Sequence, residues 1–317
     1  MGRNKWLDGV MGLIVGDALG VPVEFRSRNE LMNKPVESMR AYGTYNQPAG
    51  TWSDDSSMTL ATVDSLKNGY DPKDIMDKFV KWIMQAEYTP FQCVFDKGIA
   101  THVAILKYID GESLFSCGGE NERSNGNGSL MRILPVCIYA YEQQKKCGMS
   151  DEDVIDMIHE VSALTHAHIR SLVACGLYFF MVRELLEEKG TLADCLHKGL
   201  DKGFEFYKSD MTNPDELLRY GRIRNITELA KTDMDEIYSS GYVVYSLEAA
   251  LWCLMNTDNY RDCMLKAVNL GSDTDTVAAI AGGLAGLFYG YDDIPQEWLD
   301  VIQRKGWIEE MLGEISG

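Results

Sequence analysis

The sequence predicts an all-α fold, on three observations. Apolar residues recur at helical spacing along the chain, as at Trp6, Val10, Leu13 and Ile14. No run alternates with the period of two that a half-buried strand requires, and no internal repeat appears. Gly, Pro, Asn and Asp punctuate the periodic segments at short intervals, giving roughly a dozen helices joined by short loops and three longer ones.

The chain has 317 residues, enough for one large domain or two ordinary ones. Its 45% hydrophobic and 25% charged content is that of a globular protein with a real core. The net charge of −18, from 48 acidic against 30 basic residues, argues against a nucleic-acid or anionic-membrane partner, because the long-range field repels both. Eight cysteines stand singly, several between apolar neighbours as in Val136-Cys137-Ile138, and no Cys-x-x-Cys or HExxH pattern occurs. They read as free thiols in a reducing compartment, so a soft-metal site is not expected and a cytoplasmic location is. The apolar run Val10–Val15 is cut off by Asp17 and reads as too short to span a membrane.

The first helix, over 5–20, is expected to end at Gly20 and Pro22, where a loop presents Glu24 between Val23 and Phe25. Glu24 is either a functional carboxylate or a solvent-facing residue between two buried ones. Met58, Ala61, Val63 and Leu66 define the next helix, which closes at Asn68-Gly69 and opens with Ser53-Asp54-Asp55-Ser56. Residues 72–86 form a helix entered through Pro72, and Phe95-Asp96-Lys97-Gly98 leads into another through Ala100, Val103, Ala104 and Tyr108. Residues 116–128 are loop by composition, and Ser129 to Leu134 reads as a helix start.

Two helices fill 151–188, with Thr165-His166-Ala167-His168 at their junction. Two or three amphipathic helices follow over 191–237, one starting at Asn213-Pro214. An apolar helix runs through Leu247, Leu251 and Leu254, and another over 259–270 leads to Asn269–Thr276. That loop carries Asp273, Thr274, Asp275 and Thr276, and the small apolar run from Val277 to Gly290 behind it reads as a helix that lets other backbones pack close. Pro295 opens a final helix carrying Trp298, Val301, Ile302, Trp307 and Met311.

The chain thus holds two hydroxyl-and-aspartate clusters, each opening a helix. A cap, whose side-chain oxygen accepts a free N–H of the first turn, explains one of these residues, and the surplus oxygens are those that hard divalent cations take. The competing reading is a capped helix beside a solvated acidic loop. Should the clusters meet, four carboxylates would share one site. At ~4 Å each like-charged pair repels by about 4 kcal/mol at an effective dielectric near 20, so protons or cations would be needed.

Five segments in order, Gly16-Asp-Ala-Leu-Gly20 with Pro22 and Glu24, Trp52–Met58, Asn125–Arg132, Leu164–Ala167 and Gly271–Thr276, resemble the ADP-ribosylglycohydrolase family over about residues 5–305. The resemblance implies a compact, single-domain orthogonal bundle over residues 1–317, with two divalent cations, Mg²⁺ or Mn²⁺, in a central cleft. Carried over, the metal ligands are Ser53, Asp54, Asp55, Asp273, Asp275 and Thr276. Ser53 and Ser56 stand where the family more often has Thr, and Ser272 where Gly is common. Ser124, Gly126, Asn127, Gly128 and Ser129 become contacts for the diphosphate and ribose, since a Gly-rich loop before a helix suits a pyrophosphate. His166 becomes a substrate hydrogen-bonding residue, while His168 stays structural.

The implied activity is metal-dependent hydrolysis of the bond between ADP-ribose and a modified acceptor, a protein side chain or a small molecule. Asp275 would polarise the metal assembly, and Glu24 would serve as acid/base or ribose-orienting group. Asp96 either lines the cleft as a weaker second or only holds its loop. Two alternatives compete: another two-metal hydrolase of a phosphorylated nucleotide, and a non-catalytic ADP-ribose binder or crystallin-like structural protein that kept the fold. The acceptor linkage, the choice between Mg²⁺ and Mn²⁺, the adenine contacts and the oligomeric state have no readable code in the sequence.

Overall fold

The computed structural model describes residues 3–187, 189–210 and 214–316 and contains sixteen α-helices. In chain order they are α1 (Lys5–Gly20), α2 (Arg28–Asn33), α3 (Asp54–Leu66), α4 (Pro72–Gln85), α5 (Ile99–Ile109), α6 (Leu134–Cys147), α7 (Asp151–Ala163) and α8 (Ile169–Leu186). The second half holds α9 (Leu192–Asp210), α10 (Pro214–Leu218), α11 (Ile226–Ala230), α12 (Val243–Met255), α13 (Tyr260–Val268), α14 (Thr274–Tyr289), α15 (Gln296–Leu299) and α16 (Lys305–Ser316). Twelve have nine residues or more, so the long helices are those that periodicity predicts. Among the described residues there are three isolated bridges and no strand. The expected helix start at Asn213 lies outside the described residues.

The chain ends of this fold are tied through α1 and α14. Both helices are buried almost all round, and their backbones touch through glycine. A Cβ on Gly12 would lie 2.3 Å from the Gly282 carbonyl oxygen, on Gly16 2.2 Å from that of Ala278, and on Gly286 2.2 Å from that of Asp8. Only glycine permits this approach, and the four-residue spacing of Gly12, Gly16 and Gly20 keeps it on one stripe of α1. Tyr260 reinforces the seam by donating its hydroxyl to the Gly12 carbonyl oxygen at 2.6 Å.

The apolar stretch of α1 is longer than the run Val10–Val15 suggests. Lys5–Val23 is long and apolar enough by length and composition to cross a membrane, with mean hydropathy 1.4, and 94% of that window is buried inside the fold. Asp17 does not interrupt it, because its carboxylate is buried and fully hydrogen-bonded.

Two other expectations change. The final helix is two, α15 and α16, because the backbone between them is engaged elsewhere. Gln303 N–H donates to the Gly50 carbonyl at 3.0 Å, and its own carbonyl accepts Trp52 Nε1–H at 3.0 Å. This junction holds the segment that delivers Ser53 to α3. The helix expected from Ser129 is a single 3-10 turn, Leu130–Arg132, and α6 begins only at Leu134. The short α2 went unread; its capping box joins Ser27 and Glu30.

Gly16→Ala is expected to destabilise the protein by about 1–3 kcal/mol, since the added methyl meets backbone that cannot move alone. Gly313→Ala on α16, where a Cβ meets nothing within 4 Å, is expected to be neutral or slightly stabilising. Urea denaturation of both variants checks the pair.

Candidate active site

The glycine seam sets the N-terminus of α14 against the C-terminal end of α1. A Cβ on Gly20 would fall 2.4 Å from Asp275 Cα, and Thr274 Oγ1 donates to the Gly20 carbonyl at 2.9 Å. Ahead of α14 the chain turns through Gly271 and Ser272, both with positive φ (77° and 64°). Glycine suits the position that Ser272 holds. Ser272 pairs with the loop after α1, its N–H donating to the Arg26 carbonyl at 2.8 Å and its carbonyl accepting Phe25 N–H at 2.7 Å.

Asp17 fixes the third element. Its carboxylate accepts Ser53 N–H at 3.0 Å, Ser56 N–H at 3.1 Å and the Ser56 hydroxyl, so it holds the first turn of α3. A carboxylate is stable there because the first-turn N–H groups lack helical partners. The two aspartate clusters consequently meet. Thr276 Oγ1 stands 3.5 Å from Asp55 Oδ2, and Ser53 Oγ donates to the same oxygen at 3.1 Å. A third helix N-terminus joins them, with Gly98 N–H at the start of α5 donating to Asp54 Oδ2 at 3.1 Å.

These groups line a cleft of about 340 Å³. Glu24, Asp54, Asp55, Asp96, Asp273, Asp275 and Thr276 make up its acidic wall, and Gly126, Asn127, Gly128, Met131 and His166 complete the lining. Glu24 is buried rather than solvent-facing, and Asp96 lies in the cleft wall. Asn127 bridges the walls, donating from Nδ2 to Asp273 Oδ2 at 2.7 Å and to Ser246 Oγ at 2.8 Å.

Three site residues read from the sequence stand behind this surface. Ser53 spends its hydroxyl on Asp55. Ser129 is fully buried, accepting from Ser162 Oγ at 2.8 Å, because the 3-10 turn rotates it away from the cleft. Ser124 closes a turn, its N–H donating to the Asn121 carbonyl at 2.7 Å, and is absent from the cleft wall.

Sequence reading missed Asp17, Tyr45 and Thr101. Asp17 had a signal, a carboxylate inside an apolar helical run. Tyr45 had none: it comes from the loop before α3, packs 5.1 Å from the Phe95 ring and holds the Glu24 and Asp96 pKa values lower than burial alone would. Thr101 lines the cleft from the first turn of α5, with its hydroxyl buried and unpartnered.

The electrostatics are those of a site lacking counter-charge. Burial first, then the neighbouring acids, pushes Asp54, Asp55 and Asp275 well above the usual carboxylate range. Burial raises Asp17 to about 6 despite its hydrogen bonds, and burial with Asp96 raises Glu24 to about 9. Among the described residues two sets of carboxylates come within 4.8 Å of one another, Asp17 with Asp55 and Asp275, and Glu24 with Asp96 and Asp275. Asp55 Oδ1 and Glu24 Oε2 are buried without any hydrogen-bond partner. Such oxygens, clustered and anionic, are the donors a hard cation takes, so these residues fit a metal. Asp17 serves as the anchor of α3, its carboxylate accepting from Ser53 and Ser56.

The fold and site thus define an all-α protein with a carboxylate cleft suited to hard cations. Comparison narrows this. The ADP-ribosylglycohydrolase profile matches residues 2–317, and the chain belongs to that family. It is 31% identical to ADP-ribosylarginine hydrolase Tri1 of Serratia proteamaculans (strain 568), over 98% of this chain and 79% of the relative. It is 28% identical to ADP-ribosyl-[dinitrogen reductase] glycohydrolase of Rhodospirillum rubrum, over 96% and 92%. A solved structure titled ADP-ribosylglycohydrolase-related protein complex superposes with TM-score 0.76 at 29% identity, over 99% of this chain and 97% of that one.

A carboxylate whose folded-state pKa is raised makes the folded state bind more protons than the unfolded chain, so stability falls as pH rises between the two values. In chelator, the melting temperature is expected to drop from about pH 5 to about pH 9. Saturating Mg²⁺ or Mn²⁺ should restore it far more at the alkaline end, since the ions displace protons. Differential scanning fluorimetry across this range, with and without the cation, checks it.

Proposed function

We propose that the protein hydrolyses the bond between the anomeric carbon of ADP-ribose and a modified acceptor, with two divalent cations, Mg²⁺ or Mn²⁺, in the carboxylate wall. The observation that carries this reading is the convergence of Asp54, Asp55, Asp273, Asp275 and Thr276 at one wall of a cleft whose other wall is Gly126–Gly128 and His166. Family membership and the names of the relatives support the same reaction. For the acceptor, an arginine side chain on an ADP-ribosylated protein is the first choice, because two relatives at 31% and 30% identity are named ADP-ribosylarginine hydrolases.

When bound, the cations would neutralise the carboxylates and polarise the ribose hydroxyls. Asp55, Asp273 and Asp275 would hold them, while Asp17 fixes the first turn of α3 that carries Asp55 and Asn127 holds Asp273. A ribosyl transfer passes through an oxocarbenium-like transition state, which the anionic wall stabilises. Glu24 carries a buried, unpartnered oxygen in the cleft and can exchange a proton with the leaving acceptor or the attacking water. The Asp96 charge beside Glu24 helps to keep the Glu24 carboxyl protonated. The Gly126–Gly128 segment lies where a diphosphate can approach backbone closely.

A crystallin-like structural role is not favoured. A protein selected only for stability gains nothing from several buried carboxylates that repel one another.

Release of free ADP-ribose from arginine-, serine- and ester-linked conjugates, with Mg²⁺ or Mn²⁺ and then with chelator, tests the proposal. Metal-dependent release from the arginine conjugate is expected. Asp55→Ala and Asp275→Ala should each lower it by roughly a hundredfold or more, and Glu24→Gln by on the order of a hundredfold at unchanged metal affinity. No release from any conjugate in the presence of either metal would overturn the reading.

A further inference from the structure

Arg132 is fully buried, next in the chain to Met131 of the cleft lining, and has no carboxylate partner among the described residues. Its guanidinium lies over the Phe79 ring at 4.7 Å, and its Nε and one terminal nitrogen have no hydrogen-bond partner. A buried cation held this way is costly, so its few polar contacts call for a reason. They are two, both from one terminal nitrogen: the Val161 carbonyl at 3.2 Å and Thr165 Oγ1 at 2.8 Å.

Thr165 Oγ1 has one other partner, His166 Nδ1, at 2.8 Å. Arginine only donates, so Thr165 accepts from Arg132 and keeps its own proton to give. If His166 Nδ1 carried a hydrogen, the buried Thr165 proton would be left with no acceptor, at the cost of an unmade buried hydrogen bond. Nδ1 must accept, and the imidazole proton sits on Nε2. Burial, with the Arg132 charge behind it, lowers the His166 pKa to about 3 and keeps the ring neutral.

The Cε1–Nε2 edge meets the cleft wall. A Cβ on Gly128 would lie 2.7 Å from Cε1 and one on Gly126 3.5 Å from Nε2, so glycine at both places leaves the edge uncovered. The backbone is held too, His166 N–H donating to the Ser162 carbonyl at 2.8 Å and Ala167 N–H to the Gly119 carbonyl at 3.1 Å.

We propose that Arg132 and Thr165 are positioning residues that lock His166 as the Nε2–H tautomer, making it an obligate hydrogen-bond donor to an acceptor atom of the ADP-ribose moiety. This rests on the functional reading above for its ligand, and on the hydrogen-bond chain alone for its tautomer. Arg132 is fully buried and is joined to His166 by hydrogen bonds through the Thr165 hydroxyl.

Long-range ¹H–¹⁵N correlation on ligand-free protein labelled in histidine reads the tautomer, and calorimetric titration with ADP-ribose in Mg²⁺ reads the consequence. Wild type and Thr165→Ser are expected to show His166 protonated on Nε2 alone. Thr165→Val should lose that single form and bind ADP-ribose roughly three- to tenfold more weakly, with the serine variant restoring affinity. A wild-type spectrum with the proton on Nδ1 overturns the proposal, and that spectrum decides even if Thr165→Val does not fold. Undiminished tautomer and affinity in a folded Thr165→Val overturns it as well. Wild type with Nε2–H but no affinity for ADP-ribose would instead sink the functional reading while leaving the hydrogen-bond chain established.

Discussion

The backbone contact between α1 and α14 is the constraint on which the rest depends. These helices lie at opposite ends of the chain, yet Gly12, Gly16, Gly282 and Gly286 let their backbones meet without side chains between. Close packing of two such helices fixes their relative shift along the axis, because each carbonyl fills the space a methyl would occupy. The shift places Gly20 on Asp275, and from it follow the position of Glu24 on one side and Thr276 on the other. A helix pair with ordinary side chains at the seam would separate by several ångströms, and the two carboxylate clusters would no longer meet.

Asp17 carries the arrangement to α3. It sits one residue from Gly16 in the seam and accepts from the first turn of α3, so the cleft-facing Asp55 is placed by hydrogen bonds to the same helix that places Asp275. Three helix N-termini, of α3, α5 and α14, open onto the cleft. Their partial positive charge favours the carboxylates there. It does not suffice: burial and mutual repulsion still hold Asp54, Asp55 and Asp275 far above their ordinary range. A site that must be either protonated or loaded with cations is the result.

What the sequence revealed was local. Helical period, capping residues and the oxygen-rich helix starts gave the all-α class, the long helices and most of the carboxylate wall. The small residues after Thr276 signalled close packing, but nothing in them named α1 as the partner. Long-range backbone bonds were equally silent, and for this reason the last helix splits where Gln303 meets Gly50. Ser129 looked like a phosphate contact in a Gly-rich run; a single 3-10 turn sends it inward, and no periodicity marks a turn so short. Tyr45 enters the site from a stretch without pattern, packed on Phe25 and Phe95.

The two walls of the cleft are not independent. Asn127 belongs to the Gly-rich loop, yet its amide holds Asp273, and its own backbone N–H donates to the Gly241 carbonyl at 3.1 Å. Asp273 N–H in turn donates to the Ser239 carbonyl at 2.9 Å, so the segment 239–241 braces both. Asp273 and Asn127 are therefore coupled: whatever displaces the Asp273 carboxylate acts on the Gly-rich loop, and a shift of Asn127 acts on a cleft carboxylate. His166, beside that loop, is held by a separate chain of hydrogen bonds through Thr165 and Arg132. The cleft thus joins a carboxylate cluster whose charge is set by protons or cations to an imidazole kept neutral by its burial.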